Sequence, residues 1–459
     1  MSKNSIVTSA KKHEKISDKL EQVSLNSVRK VLPDSMIIRI CNDIEYQYRD
    51  RIITPIVTVL HMIMAAIWPE DSFNASWQVL WSVMTSKFPQ LAGLSPSPAT
   101  VSKARSRLPV KLWHKLFDRI SRQVQEHSKS FDKWRGHRVL LADGTCVSMP
   151  DKQDLHDEFG TCTGRYGTSR YPLARMVSLC LCNTMIILDY NLGRYRDDEN
   201  ALLAPLLKKL RKGDLLVADR HFAAAHFYWF YQSLGLEFLT RAHQNLKISR
   251  IKRLWSYSQN DFVGWLNINP IYRRKNPDLP ERIMVRFTQY IVRIRGQRKA
   301  VWLASSLLDE AVYPANEIIQ LYGKRWRIET LFQYLKINAS ADVLRSKSSA
   351  AIRKELAARV IAVNIIRMIM LESAVVNNVD PVRISFVGAV RAILTYAPSL
   401  AIEPLWKLPQ IYNAMFVEIA SNVVPWRPGR IEPRAITREN KHYPRLKTTR
   451  AEWRKSYAA

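Results

Sequence analysis

The 459-residue chain is too long for one ordinary core, so two or three domains are expected. Seventy Lys and Arg against forty Asp and Glu leave a formal net charge of +30, which points to a polyanionic partner: nucleic acid first, an anionic membrane surface second. A hydrophobic share of 47% excludes wholesale disorder.

The N-terminal stretch Met1 to Leu20 holds no apolar segment of the signal-peptide kind. Residues 1–34 read as a flexible basic arm. From 35 to 130 the pattern is helical, with stops at Pro89 and at Ser95-Pro96-Ser97-Pro98. The longest apolar run, Ile52 to Trp68, is interrupted by Thr54, Pro55, Thr58 and His61. It falls short of the roughly 20 clean residues of a membrane span and reads as a buried helix. Thr100 or Ser102 is expected to cap the next helix, whose Lys103, Arg105 and Arg107 face either phosphate or plain solvent.

The texture changes near residue 137. Arg138 to Asp143 is a short apolar run that ends in an acid, and Asp214 to Asp219 is another. Between them lie strand-like runs at 176–182 and 185–189, joined by an Asn183-Thr184 turn, and a helix at 197–210. A helix at 223–232 and a strand at 236–241 follow, so a mixed α/β sheet is predicted. Residues 245–300 break that alternation and read as a basic, β-rich insertion. Ala300 to Leu307 is again a strand. Pro314 then opens one long helix over 315–337, and 346–425 forms a helical C-terminal region. The segment 426–459, rich in Arg and Lys and with little apolar content, reads as an extended basic tail.

The five cysteines, Cys41, Cys146, Cys162, Cys180 and Cys182, lack the two-residue gap of a zinc knuckle. Cys180 and Cys182 read as small core residues of a strand, and a reducing cytoplasm fits. His and Cys do not cluster at zinc-ligand spacing, and no Gly-rich phosphate loop is present, so neither zinc nor ATP or GTP chemistry is supported.

A carboxylate at a strand end emerges at the sheet edge, where α/β folds bind ligands. A single such Asp is commonly structural; Asp143 and Asp219, each after a similar apolar run, are more suggestive. On a helix turning about 100° per residue, Tyr322, Arg325, Glu329 and Lys336 fall within an arc of about 60° beside an apolar face. Arg325 and Glu329 also suit a plain i,i+4 salt bridge, and that alternative stays open. Converging carboxylates beside cations suit phosphoryl chemistry on DNA. Carboxylate oxygens are hard ligands for Mg²⁺, and two such ions serve the attacking and leaving oxygens.

Taken together, Tyr322, Arg325, Glu329 and Lys336 resemble the Y-(2)-R-(3)-E-(6)-K signature of bacterial transposases of the insertion-sequence-four type. Asp143-Gly144-Thr145 matches the first acidic motif of that family, and Asp219-Arg220-His221-Phe222 the second, with His221 where the family often has Gly. Leu344 to Lys347 and Asn364 also look like family positions, and Ser102 to Pro109 resembles part of its terminal-repeat-binding region. The resemblance spans roughly residues 35 to 450. It implies a ribonuclease-H-like catalytic core at 137–345, interrupted by the insertion at about 245–300 and preceded by a helical DNA-binding domain at 35–130. It implies that Asp143, Asp219 and Glu329 hold two Mg²⁺ ions, with Mn²⁺ able to substitute. It further implies cut-and-paste transposition through strand cleavage, a DNA hairpin and strand transfer. Tyr322, Arg325 and Lys336 would contact DNA phosphates, and Trp302 either stacks a flipped base or is a core residue. The implied partners are the terminal inverted repeats of the element and target DNA. A dimer in the DNA-bound synaptic complex, no membrane, and a bacterial, nucleoid-associated cytoplasmic location complete the expectation. Two alternatives remain: a ribonuclease-H-like nuclease without strand transfer, and a non-catalytic DNA-binding protein derived from a transposase.

Overall fold

The computed structural model of the chain describes residues 32–425, apart from 50–51, 68–72, 92, 95, 129–130, 165–166 and 295–296. Nearly all of the arm expected at 1–34 and the whole tail expected at 426–459 lie outside the described residues.

The two acid-ending runs become neighbouring parallel strands. Val139 to Ala142 lies within β2 (His137–Ser148), and Leu215 to Ala218 is β6. All of these side chains are buried, as expected for strands covered on both faces. β2 and β6 pair in parallel with Ala142 opposite Ala218, and β6 pairs in parallel with β7 (Glu237–Arg241). On the other side β4 (Gly167–Leu181) runs antiparallel to β2, and β5 (Ile187–Arg194) antiparallel to β4. The central order is therefore β5-β4-β2-β6-β7, with short β1 (Lys133–Trp134) on β2 and β3 (Thr161–Gly164) on β4. The β4–β5 turn falls at Asn183-Thr184, as the sequence predicts. The Asp132 carboxylate accepts from both backbone amides there, at 2.7 and 3.0 Å, and from the Thr184 hydroxyl at 2.8 Å.

The β-rich insertion expected at 245–300 contains β8 (Lys252–Ser258), β9 (Asp261–Asn267) and β10 (Arg282–Ile294), and the strand expected at 300–307 is β11 (Gln297–Ser305). They extend the same sheet, because β11 pairs antiparallel with both β10 and β7. Arg286 of β10, fully buried, forms a bidentate pair with Asp261 and donates to the Leu307 and Tyr313 carbonyls at 3.2 and 2.8 Å. These bonds fasten the added strands to the loop that enters the Glu329 segment.

Three helical expectations change in detail. The helix expected at 197–210 is α-helical only over Glu199–Leu203 and continues as a 3₁₀ helix over Ala204–Lys209, where Pro205 has no amide to donate. The Pro98–Arg107 helix is capped by Ser97, whose hydroxyl accepts from the Thr100 amide at 3.3 Å, because Pro98 is already preset for the first helical position. The single helix expected over 315–337 is two, Ala315–Gly323 and Trp326–Gln333, followed by a π-helical turn over Tyr334–Asn338. Between the two helices the amides of Lys324, Arg325, Arg327 and Ile328 bond three residues back, at 3.0 to 3.1 Å, rather than four.

Behind the sheet, the Ser349–Asn377 helix packs against the Val110–Ser128, Pro55–Ile67 and Leu408–Ser421 helices. It is long and apolar enough to cross a membrane, but most of it is buried inside the protein. Asn364, at its centre, fixes it to the sheet: its side-chain amide donates to the Ile187 carbonyl and accepts from the Ile187 amide, both at 2.8 Å. Lys354 caps the C-terminal end of the Pro98–Arg107 helix by donating to the carbonyls of Arg105, Ser106 and Leu108 at 2.9 to 3.0 Å.

Candidate active site

Asp143 and Asp219 each follow one of the paired alanines of neighbouring parallel strands. Asp219 stands just past the end of β6, as expected, but Asp143 lies inside β2, which runs on to Ser148 because its far half stays paired with β4. Strands in one sheet lie about 4.8 Å apart. Asp143 accepts from the Gly144 amide at 2.8 Å, and its side chain is 16% exposed. Asp219 accepts from the His221 amide at 2.8 Å and caps a single 3₁₀ turn, Arg220–Phe222. His221 stands outside the left-handed region and is exposed, so this turn takes a His without backbone strain.

Glu329 comes from the Trp326–Gln333 helix, and its side chain is 42% exposed. The guanidinium of Arg325 lies between the acids. It donates through Nη1 to Asp143 Oδ2 at 3.1 Å and through Nη2 to Glu329 Oε1 at 2.8 Å. The i,i+4 pair is therefore present, but it is also a bridge to the sheet. Burial pushes the Asp143 carboxyl up to about 6; Asp219 and Glu199 push the same way, while the Gly144 amide and Arg325 oppose them.

The structure gathers Asp143, Asp219, Arg325 and Glu329, with Tyr322 beside them. Tyr322 is only 7% exposed, and burial pushes its hydroxyl up to about 12; Asp219, Arg325 and Arg241 all act on it. Lys336 sits in the π-helical turn with its ammonium 3.9 Å from Asp342. Trp302 is half-buried in β11, edge-on to Phe262 at 5.7 Å. Neither makes its described contacts with the acids.

One acid of this cluster was not singled out from the sequence. Glu199 begins the short helix after β5, and its carboxylate lies against Gly144: a Cβ there would stand 2.7 Å from its carboxyl carbon. Burial raises the Glu199 carboxyl, opposed by Arg175 and His221. The only sequence signal is the acid run Asp197-Asp198-Glu199, which reads equally as a helix cap.

Among the described residues no three His, Cys, Asp or Glu side chains stand close enough to share one ion. The donor set still fits a hard divalent cation. It is all oxygen, its charges crowd one another, and the cation now between Asp143 and Glu329 is a side chain.

The model of the Transposase DDE domain family matches residues 134–365, from β1 to the middle of the Ser349–Asn377 helix. The chain belongs to the DDE transposase family. It is a DNA transposase of the insertion-sequence-four type. It is similar to the transposase InsG for insertion sequence element IS4 of Escherichia coli (strain K12), with 22% identity over 353 residues that cover 76% of this chain and 78% of the relative. Among solved structures it is similar to the cryo-EM structure of the piggyBac transposase synaptic complex with hairpin DNA. That match has 12% identity and a TM-score of 0.44, and covers 89% of this chain and 87% of the other. The part of this transposase matched by the family model contains Asp143, Asp219, Glu199, Arg325 and Glu329.

Proposed function

We propose that this transposase moves its element by cut-and-paste chemistry, with Asp143, Asp219 and Glu329 as the metal-binding carboxylates and a ribonuclease-H-like core beneath them. The observation that carries the reading is the single guanidinium shared by Asp143 and Glu329 next to Asp219. The central order β5-β4-β2-β6-β7, with three parallel strands and an antiparallel pair at one side, supports the core assignment. Two Mg²⁺ ions, when bound, would activate the attacking oxygen and stabilise the leaving one, and Mn²⁺ would substitute.

The chain's own residues then have distinct work. Water breaks a P–O bond at the element end and leaves a 3′-hydroxyl. That hydroxyl attacks the opposite strand to form a hairpin, which is reopened, and the final 3′-hydroxyl attacks target DNA. Each step needs the same phosphate position. Arg325, released from the acids, would grip a neighbouring phosphate, with Tyr322 and Lys336 beside it. Trp302 would receive an unstacked base. The surplus of basic residues would supply affinity for the terminal repeats and for target DNA, in a synaptic dimer.

The test is incubation of the protein with its native element ends and Mg²⁺, with nicked, hairpin and joined products resolved separately. Hairpins and joined products are expected. Nicks alone would leave a nuclease, and binding without cleavage a DNA-binding protein. Asp143→Ala, Asp219→Ala and Glu329→Ala should each abolish cleavage and keep binding to the ends. Near-normal cleavage by any one of them removes that residue from the site.

A further inference from the structure

The mechanism above leaves one acid of the cluster without a role. The helix that carries Glu199 packs on β2, β4 and β5 and on the turn after Asp219. Its position is fixed from several sides. Asp198 caps it by accepting from the Ala201 amide at 3.2 Å, and Asn191 donates to the Leu202 carbonyl at 3.1 Å. Asn200 donates to the His221 carbonyl at 3.0 Å, which ties the helix to the Asp219 turn. Glu199 is thereby held between that turn and the backbone next to Asp143.

The fit against Gly144 is close. A Cβ at that position would lie 2.7 Å from the carboxyl carbon and from Oε1 of Glu199, and 3.1 Å from Oε2. Gly144 is not in the left-handed region, so its missing side chain serves space and not backbone freedom. The residue after Asp143 thus makes room for a second carboxylate. The Glu199 side chain is 21% exposed, and Arg175 approaches it only to 3.6 Å. The same Arg175 nitrogen donates to the Asp197 carbonyl at 3.1 Å instead. Like charges gathered in a partly buried place are costly unless a cation joins them.

We infer that Glu199 is a fourth carboxylate of the divalent-metal site, seated over Gly144 so that its charge and oxygens strengthen the hold of Asp143 and Asp219 on the cation. This rests on the two-metal reading of Asp143 and Asp219. Glu199 acts on the bound cation and is no part of DNA gripping.

The experiment uses the full chain without DNA and titrates it with Mn²⁺, following free Mn²⁺ by electron paramagnetic resonance. Glu199→Gln, which keeps shape and removes charge, should weaken Mn²⁺ binding by about tenfold or more and leave the metal-free melting temperature nearly unchanged. Arg175→Met removes the competing cation, so Mn²⁺ should bind at least as tightly as to the wild type. Asp143→Asn is the reference variant and should weaken binding at least as much. Wild-type affinity in Glu199→Gln alongside a loss in Asp143→Asn would overturn the role of Glu199 alone. Equal losses in Glu199→Gln and Arg175→Met, both with lowered melting temperatures, would make Glu199 a structural partner of Arg175 and overturn it too. Wild-type affinity in Asp143→Asn would overturn the two-metal reading and this inference together.

Discussion

Asp143 of the sheet and Glu329 of the Trp326–Gln333 helix are joined through one guanidinium, that of Arg325, at 3.1 and 2.8 Å. The pair matters because both acids are assigned to metal, and an ion between them competes with the arginine. Removing the arginine should therefore have opposite effects on two measurements. Arg325→Met is expected to bind Mn²⁺ more tightly than the wild type in the absence of DNA, and to cleave element ends at least tenfold more slowly. Weaker Mn²⁺ binding in the variant would show that Arg325 organises the acids rather than standing in for the ion.

The Asp143 carboxyl supplies a pH signature. Its folded value is pushed up to about 6, chiefly by burial, from an ordinary 3.8. Between those values the folded state holds more proton than the unfolded one, so metal-free stability falls as pH rises from about 4 through 6. Asp143→Asn has no such titration. The melting temperature of Asp143→Asn minus that of wild type, measured in chelator, should therefore increase from pH 4.5 to pH 7.5. A flat difference would mean that the site does not hold Asp143 protonated.

Asn364 allows a structural test away from the acids. It is fully buried and satisfies both backbone groups of Ile187. Asn364→Leu keeps the volume but strands a donor and an acceptor, each costing about 1–3 kcal/mol when buried without a partner. A loss of that order in chemical unfolding is expected, with cleavage per folded molecule unchanged. A stability change below about 0.5 kcal/mol would show that the strand edge finds another partner.

Much of the site could be read from residue order because it depends on local rules. Val139 to Asp143 and Leu215 to Asp219 are apolar runs followed by acids, and the two runs are adjacent parallel strands in register up to the alanines that precede the acids. Glu329 was marked by its spacing from Tyr322, Arg325 and Lys336. The helical projection failed where it assumed an unbroken helix. The three-residue bonds at 324–328 and the π-helical turn rotate the two ends, so Tyr322 faces inward and Lys336 turns to Asp342. Glu199 was illegible for a different reason. Its closeness to Asp143 depends on a long crossover and on an absent side chain at Gly144, and neither leaves a periodic mark in the chain.

Trp302 is the residue on which the two readings of the sequence part most clearly. Its ring is half-buried and meets Phe262 edge-on at 5.7 Å, and its carbonyl accepts from the Ala242 amide at 2.8 Å. Those contacts describe a strand residue in a core, yet the residue is not fully buried. A hairpin bends the strand end sharply, so one base must leave the stack, which costs a few kcal/mol unless something receives it. Stacking on an aromatic returns about 1–3 kcal/mol per base. If Trp302 receives the base, Trp302→Leu should nick nearly as fast as wild type and form hairpins about 10- to 100-fold more slowly. If its work is packing against Phe262, the same change should lower nicking and hairpin formation together, with a reduced melting temperature. Measuring both products from one reaction beside a melting curve decides the matter. Equal losses in the two steps would place Trp302 in the core alone.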